Sequence, residues 1–517
     1  MAWWHTEKGE SQTPGDFWDQ QLLLDIFPEH REYAVDIISG RYYKQFEQPK
    51  YHKNFIVTGD EEGVFPYGDV DPEVMWVQSP PMTIDKSKVD RFFPIGYAPG
   101  TREELAKMGL PIKVLRWFFS GQSTHKRRKE CIKALKTKDD GFLLETKGFT
   151  QGLDRHEYML GLHGAMVAPC PSGAVIPDTF RLYEALEAGC YPIVDGLDPK
   201  GGSKGYWEFL FDGDVPFTVL DDWADLPGTI DYFCDTYPKH QNECSAWWQL
   251  YKRDLRYNLM EDLGQTNTQE ITVLMPTSVI PSHPSTEIID ETIASVRHFL
   301  PEAEILLMID GLRSEQSDRY DDYEEYKRRI LWKSAHEWDN VTPILFSEFS
   351  HQATMTRETL KKVNTPTVLF VEHDTPLTTD CEIPFDEIIQ IIQKDQADII
   401  RLNHESHVLS EHESLYLDEN AQGTSGIPLR RTAQWSQRPH VGNTTYYRRM
   451  LEDNFARTAK TMIEDKMHGV VQQKYDLLGK AGWNQNRLFM YAPEGNQKRS
   501  YTTDGRKDDP KFEMIWD

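Results

Sequence analysis

The chain has 517 residues, a formal net charge of −26, and a composition that is 39% hydrophobic and 12% aromatic. This length corresponds to about three domains of ordinary size, and the apolar content is sufficient for packed cores. The charge repels polyanions, which disfavours nucleic acid as a partner without excluding it. Six cysteines lie without C-x-x-C spacing, which favours reduced thiols in a cytoplasm (the host cytoplasm for a viral protein) over a zinc module.

Membrane insertion is not predicted. The sequence contains no apolar run near the ~20 residues of a membrane span, and its polar, tryptophan-containing N-terminus lacks the pattern of a signal peptide. We therefore expect partners that are met in solution.

The first segment, residues 1–111, is aromatic and rich in loops. Short apolar runs at Asn54–Thr58 and Val74–Gln78 are separated by turn residues, which is typical of strands. We predict a small Rossmann-like lobe here, and a second lobe with closing helices over residues 112–264.

The most informative stretch of the second lobe is PCPSGAVIPDTFRLYEALEAGCYPIVDG, residues 169–196. It predicts an apolar run, a polar loop, a helix capped by Asp178, a stop at Gly189 and a buried strand at Tyr191–Val194. Arg181 and Glu184 fall one turn apart on the same helix face. A helix N-terminus that faces such a loop favours binding of an anion, and we expect a nucleotide diphosphate to bind there.

The pattern D-x-x-R-x-x-E-A-L-x-A-G-C-x-P-I resembles the donor-site signature of exostosin-like glycosyltransferases, a GT-B family. The resemblance implies that Glu184 holds the ribose of a nucleotide sugar and that Arg181 meets the diphosphate. The upstream segment RWFFSGQSTHKRRKEC resembles the same family's strand, loop and helix, and implies that Arg127 and Arg128 reach the phosphates. With Asp178, these residues form our predicted donor site.

A polar break at Gly264–Glu270 precedes a second βαβ start, and we place the third domain at residues 265–517. The pattern predicts a strand at Ile271–Pro276, a helix at Glu287–Phe299 and a strand at Ile305–Ile309. A charged helix at Asp318–Arg329 and a buried strand at Thr365–Val371 follow. Because such sheets bind nucleotides at the carboxyl ends of their strands, we assign Thr277 and Asp310 to donor binding.

The opening ITVLMPTSVIP and the strand ends LLMIDG and VLFVEHD resemble family 2 glycosyltransferases, which have a GT-A fold. That family's metal motif is usually D-x-D, and here it reads Glu372-x-Asp374. Two carboxylates at a strand end suit Mn²⁺ or Mg²⁺, which neutralises a leaving diphosphate. A histidine of NHESHVLSEH, or His440, could complete the metal site.

The same resemblance implies an acidic pair that opens a helix and supplies the general base. Glu464 and Asp465 fit, since Asp465 lies 91 residues after Asp374. A carboxylate base that activates a hydroxyl acceptor for direct displacement inverts the anomeric carbon.

Together these patterns predict an α/β protein with a GT-B-like pair of Rossmann lobes and a GT-A-like domain. We interpret it as a hexosyl- or pentosyltransferase that uses nucleotide sugars, with UDP-sugars favoured, in two sequential transfers if both modules are active. The acceptor is either a soluble or cell-surface glycan or DNA with hydroxymethylated bases. The alternative is a non-catalytic carbohydrate-binding or scaffold protein.

Overall fold

A computed structural model describes residues 2–6, 9–11, 19–27, 35–40, 53–148, 151–265, 267–404, 410–418, 422–424, 426–493 and 498–503. The chain forms two compact units. The first comprises Met1–Thr266 with Ala335–Glu337, and the second comprises Asn267–Ser334 with Trp338–Asp517. The division falls inside the polar segment at residues 264–270. None of the helices in the described part combines the length and apolar character needed to cross a bilayer.

The first unit begins with a sheet in the order β2-β1-β3-β4-β5-β6, which is parallel except where β2 pairs with β1. The predicted strands at Asn54–Thr58 and Val74–Gln78 have the bounds of β4 and β5. The strands are β1 Ala2–Thr6, β2 Gly9–Ser11, β3 Val35–Ser39, β4 Asn54–Thr58, β5 Val74–Gln78 and β6 Arg91–Phe93.

A second sheet in this unit is parallel throughout, in the order β11-β10-β9-β7-β8. Its central strands β9 and β10 are almost wholly buried, as expected where helices cover both faces. The strands are β7 Leu115–Gln122, β8 Phe142–Thr146, β9 Ala165–Cys170, β10 Tyr191–Asp195 and β11 Thr218–Leu220.

The helices of the first unit include the predicted helix of the donor segment. This helix, α5, begins at Phe180 after Thr179 as N-cap, so the prediction that Asp178 is the cap is wrong by one residue. Gly189 follows the helix with φ +64°, as predicted for a C′ glycine. The helices are α1 Gln21–Ile26, α2 Thr101–Met108, α3 Lys126–Leu135, α4 Arg155–His163, α5 Phe180–Glu187, α6 Tyr206–Phe211, α7 Leu226–Asp235 and α8 Lys239–Asp262.

The second unit contains one mixed sheet, in the order β14-β13-β12-β15-β19-β16-β20-β18-β17. Strands β12 to β15 are mutually parallel, and β19 runs antiparallel to both β15 and β16. The strands are β12 Ile271–Thr277, β13 Glu304–Ile309, β14 Val341–Leu345, β15 Thr367–Phe370, β16 Ile399–Leu402, β17 Gln422–Thr424, β18 Ile427–Arg431, β19 His440–Asn443 and β20 Leu488–Tyr491.

The helices of this unit bury apolar stripes that the sequence shows at helical spacing. Helix α9 has the predicted bounds, and it buries Ile289, Ile293 and Val296. The charged helix α10 begins two residues later than predicted, because a 3₁₀ turn occupies Ser314–Arg319. The helices are α9 Glu287–Phe299, α10 Tyr320–His336, α11 His351–Leu360, α12 Phe385–Gln393, α13 Thr444–Asn454, α14 Ile463–Leu478 and α15 Lys480–Trp483.

A single core cluster joins helices α11, α13 and α14 to the centre of this sheet. Phe370 of β15, Met355 of α11, Tyr447 of α13 and Ile463 of α14 are all buried in it. The packing fixes the N-termini of α11 and α14 relative to the carboxyl end of β15. The predicted α/β class is thereby confirmed, with two Rossmann-like sheets in the first unit and a further α/β unit after them.

Candidate functional site

A cavity of about 390 Å³ opens in the first unit at the carboxyl ends of β7 and β8. Gly121 and Gln122 of β7, Thr146 of β8 and the start of α5 line it. This is where parallel sheets of this kind bind ligands, and the dipole of α5 adds partial positive charge. Three of the predicted donor residues, Arg128, Arg181 and Glu184, line the same cavity.

Arg128 and Arg181 are the two cations of this cavity that have no ion-pair partner among the described residues. The Nε atom of Arg128 donates to Ser172 O at 3.0 Å, and Nη2 of Arg181 donates to Ser120 O at 2.6 Å. In the described part, Nε and Nη1 of Arg181 are buried without a hydrogen-bond partner. Burial, and then the neighbouring Arg181, lower the pKa of Arg128 to about 10. Two like charges in one cavity favour binding of an anion.

Glu184 lies beside these arginines, and its side chain is almost completely buried. Arg155 Nη1 donates to Glu184 Oε1 at 2.8 Å, and Arg155 Nη2 donates to Ala98 O at 3.3 Å. The ion pair fixes the carboxylate at the wall of the cavity. The sequence interpretation missed Arg155, although Asp154 and Glu157 form a capping box that the letters D-x-x-E already indicate. That signal predicts where α4 begins but not where the Arg155 side chain points.

Arg127 and Asp178 do not line the cavity. Arg127 donates from Nε and Nη2 to Asp195 Oδ1, at 2.9 and 2.5 Å, and Asp195 is fully buried. Arg127 is therefore a structural cation of the core, and our expectation that it reaches the phosphates is corrected. Asp178 accepts from Ser79 Oγ at 2.7 Å, Ile95 N at 2.9 Å and Tyr183 Oη at 2.6 Å. It ties α5 to the loops after β5 and β6 and is not placed to meet a donor.

The second unit collects its predicted residues at the carboxyl ends of β12, β13 and β15. Thr277 ends β12, and its hydroxyl lies 2.9 Å from the Tyr326 hydroxyl. Asp310 follows β13 and accepts from the backbone N–H groups of Gly311 and Ser350, both at 2.8 Å, and of His351 at 3.1 Å. Asp310 thus holds the loop that leads into α11, and His351 takes a positive φ of +59° there.

Glu372 and Asp374 follow β15, and one side chain connects Glu372 to α14. The Gln352 amide donates to Glu372 Oε1 at 2.7 Å, and its oxygen accepts from Ile463 N at 3.1 Å. Burial, and then the nearby Asp374 carboxylate, raise the pKa of Glu372. The bridge through Gln352 brings the predicted metal motif and the predicted base helix to one place.

The acidic pair Glu464 and Asp465 occupies the first turn of α14, as predicted. Glu464 Oε2 accepts from Gln437 N at 2.8 Å, so this carboxylate is partly engaged in structure. Asp465 is exposed. Its charge opposes the lowering of the His351 pKa that burial and Arg313 cause. Asp465 is the freer of the two carboxylates for a proton transfer.

The motif Glu372-x-Asp374 offers two carboxylates to a divalent cation. Within the described residues, no group of three or more His, Cys, Asp or Glu side chains has the geometry of a metal site. His440 cannot complete it, since its nitrogens lie 2.7 Å from Arg438 O and 2.6 Å from Tyr447 Oη. In NHESHVLSEH, His407 lies outside the described residues. Two carboxylates fit a hard cation that takes its remaining oxygens from a diphosphate and water.

No family model and no curated protein matches this chain. Among solved structures, it is similar to residues 1–349 of S. aureus TarS, with 15% identity and a TM-score of 0.28 over 46% of this chain and 60% of that one. The match to the complex of that protein with UDP-GlcNAc covers 45% of this chain and 58% of that chain, with 15% identity and a TM-score of 0.27. The match to a UDP-glucose pyrophosphorylase complexed with UDP-glucose covers 45% of this chain and 93% of that chain, with 9% identity and a TM-score of 0.28. The chain thus spans about 60% of TarS residues 1–349 and 38% of the longer TarS chain, and likenesses this weak establish neither a shared fold nor a shared site.

Proposed function

We propose that this protein is a glycosyltransferase with a nucleotide-sugar site in each unit. The observation that carries the proposal is the pair Arg128 and Arg181 in the cavity at the strand ends of the first unit. Their charges lack ion-pair partners among the described residues, and planar guanidinium groups match phosphate oxygens in geometry and charge. A nucleoside diphosphate supplies the missing anion.

In the first unit, the two arginines stabilise the charge that develops on the leaving diphosphate, and they do so without reorganising. Glu184, held by Arg155 at 2.8 Å, is positioned to accept a hydrogen bond from a ribose hydroxyl. Arg155 is therefore a positioning residue for the donor. This assignment makes the first unit independent of a metal.

In the second unit, Glu372 and Asp374 would hold Mn²⁺ or Mg²⁺. Such a cation, when bound, neutralises charge on the diphosphate. Gln352 orients Glu372 through its hydrogen bond at 2.7 Å. Asp465 would take the proton of the acceptor hydroxyl as that oxygen attacks the anomeric carbon, and the single displacement would invert it. Thr277 and Asp310 would shape the donor side of this site, Asp310 by fixing the loop before α11.

The acceptor is a polymer or small molecule with hydroxyl groups. A glycan suits the net charge of −26 better than DNA with hydroxymethylated bases, because the protein's field repels a polyanion. Two sequential transfers require both sites to turn over. A scaffold that only binds carbohydrate would retain a folded cavity and turn over nothing.

The proposal is tested by incubating the full chain with UDP- and GDP-sugars, Mn²⁺ and either a hydroxyl-rich glycan mixture or DNA with hydroxymethylated cytosine. Products are weighed by mass spectrometry, and release of the free nucleotide is followed in parallel. We expect nucleotide release with at least one donor, and its loss in the Arg181→Ala, Asp465→Asn double variant. A chain that neither releases nucleotide nor adds a sugar to any acceptor is a scaffold, and the proposal is then wrong.

A further inference from the structure

A second cavity, of about 800 Å³, lies in the second unit. It opens at one end of the strands of the mixed sheet, and Glu372 and Asp374 lie at the other end of β15. Asn443 lines it, and this residue ends β19 level with Thr367, the first residue of β15. Glu372 comes after the other end of β15. Five residues of extended chain span about 16 Å, so this cavity is separate from the proposed transfer centre.

Five side-chain amides line the cavity beside six charged side chains. Asn484, Gln485 and Asn486 form a consecutive run, and Asn443 and Asn454 add two more amides. Asn486 is only 3% exposed, and its Oδ1 accepts from the Tyr446 hydroxyl at 2.9 Å. Its Nδ2 has no hydrogen-bond partner in the part of the chain that the structure describes. Asn443 Oδ1 accepts from Tyr446 N and Asn454 Nδ2 donates to Met450 O, both at 2.9 Å, so the amide groups left for a ligand include donors as well as acceptors.

The charges of this cavity are balanced, unlike those of the cavity in the first unit. The lining holds equal numbers of both signs: the carboxylates Asp395, Asp398 and Asp453 and the cations Arg449, Lys474 and Arg487. Arg487 donates from Nη2 to Asp395 Oδ1 at 2.5 Å and from Nε to Asp398 Oδ2 at 2.9 Å. The guanidinium is thereby committed to the wall, and it does not call for an anionic ligand.

We propose that this cavity binds a neutral oligosaccharide at a site distinct from both donor sites. Sugar hydroxyl groups donate and accept hydrogen bonds at once, which is what a wall of amides can satisfy. A neutral ligand leaves the equal numbers of carboxylates and cations in the lining undisturbed, whereas a nucleotide would add net negative charge. The volume lies within the range of ordinary ligand sites, roughly 300–1,000 Å³. The inference does not depend on the transfer reaction, because a non-catalytic protein could bind a glycan here equally well.

The test uses the full chain in EDTA, without any nucleotide sugar, so that the transfer centres are not involved. The protein is applied to an array of neutral oligosaccharides of glucose, galactose, mannose, xylose and N-acetylglucosamine, and hits are measured by calorimetry. The test variant is Asn484→Ala with Gln485→Ala, since both side chains are exposed and their loss should not unfold the protein. The matched control is Gln390→Ala with Gln473→Ala, two exposed amides that do not line the cavity.

We expect at least one neutral oligosaccharide to bind, the test variant to weaken it at least tenfold and the control variant to match the unmodified chain. Asn486→Leu, which removes the buried amide, should abolish binding if the chain still melts at its usual temperature. The proposal is overturned if no neutral oligosaccharide binds, or if the test variant binds as the unmodified chain does. It is equally overturned if phosphorylated sugars bind this cavity more tightly than neutral ones.

Discussion

The two proposed donor sites present opposite charges to the same kind of ligand. In the first unit the strand-end cavity carries Arg128 and Arg181, so the protein itself supplies the positive charge. In the second unit the strand ends carry Glu372 and Asp374, so our proposal requires a cation between these carboxylates and a diphosphate. The comparison teaches that the position of a site follows from the parallel sheet, whereas the means of neutralising phosphate is set by a few side chains.

The largest effect is expected from removing the cation site of the second unit. Asp374→Asn should lower transfer by that unit about 10³-fold, since charge stabilisation by a metal is worth several kcal/mol and each 1.4 kcal/mol is tenfold. Excess EDTA should do the same, and Glu372→Gln should do less, because water can replace a second carboxylate. The measurement is the number of sugars per product by mass spectrometry, with exposed Asp380→Asn as control. Full transfer in EDTA would contradict this half of the comparison.

Arg127 and Arg128 are consecutive in the first unit, but we expect substitution of the first to lower stability and substitution of the second to weaken nucleotide binding. Arg127→Met leaves Asp195 buried without its cation and should cost about 3–5 kcal/mol in the free energy of unfolding. Arg128→Met should leave stability near its original value and weaken nucleotide binding instead. Urea unfolding followed by tryptophan fluorescence measures the first effect, and calorimetry with UDP measures the second. An Arg127→Met chain as stable as the original would show that the Asp195 pair is not a core element.

A smaller effect is expected for nucleotide binding in the first unit. In EDTA the second unit should not bind nucleotide, so the UDP binding that remains reports the arginine cavity. Arg181→Ala should weaken it roughly 10–100-fold, because hydrogen bonds to charged groups are worth about 1.5–3 kcal/mol. Exposed Lys129→Ala on α3 serves as the matched control. Loss of all UDP binding in EDTA by the unmodified chain would mean that this site also needs a metal, and the contrast between the units would disappear.

The smallest effect should come from separating the two units. Fragment 1–264 contains two complete sheets and fragment 269–517 contains the third, so each should unfold cooperatively, with modest changes in melting temperature. Differential scanning calorimetry of the two fragments and the full chain measures this. If neither fragment folds, the two sites belong to one cooperative structure and cannot be compared as independent modules.

The local patterns of the sequence predict much of the scaffold. Helix α9 at Glu287–Phe299 follows from apolar residues at helical spacing, and the strand before it begins at Ile271 as expected. Gly189 predicts the end of α5 because a glycine tolerates the positive φ that stops a helix. These features depend on neighbours in the chain, and single-sequence reasoning reaches them. The roles assigned to Glu184, Asp374 and Asp465 remain predictions from resemblance.

What the sequence could not decide is the direction of side chains and the partners that they find at long range. Two consecutive arginines on α3 look alike in the sequence, yet Arg127 meets Asp195 in the core while Arg128 lines the cavity. Asp178 has the residue type and position expected of a helix N-cap, but it instead accepts hydrogen bonds from Ser79 and Ile95. Gln352, which joins Glu372 to α14, carries no sequence signal of its own. The sequence thus determined the type and order of these strands and helices and their bounds to within a few residues, because those depend on local periodicity and backbone preference. Only the tertiary structure decided which charges are neutralised by the protein and which await a ligand, because ion pairing depends on distances between residues far apart in the chain.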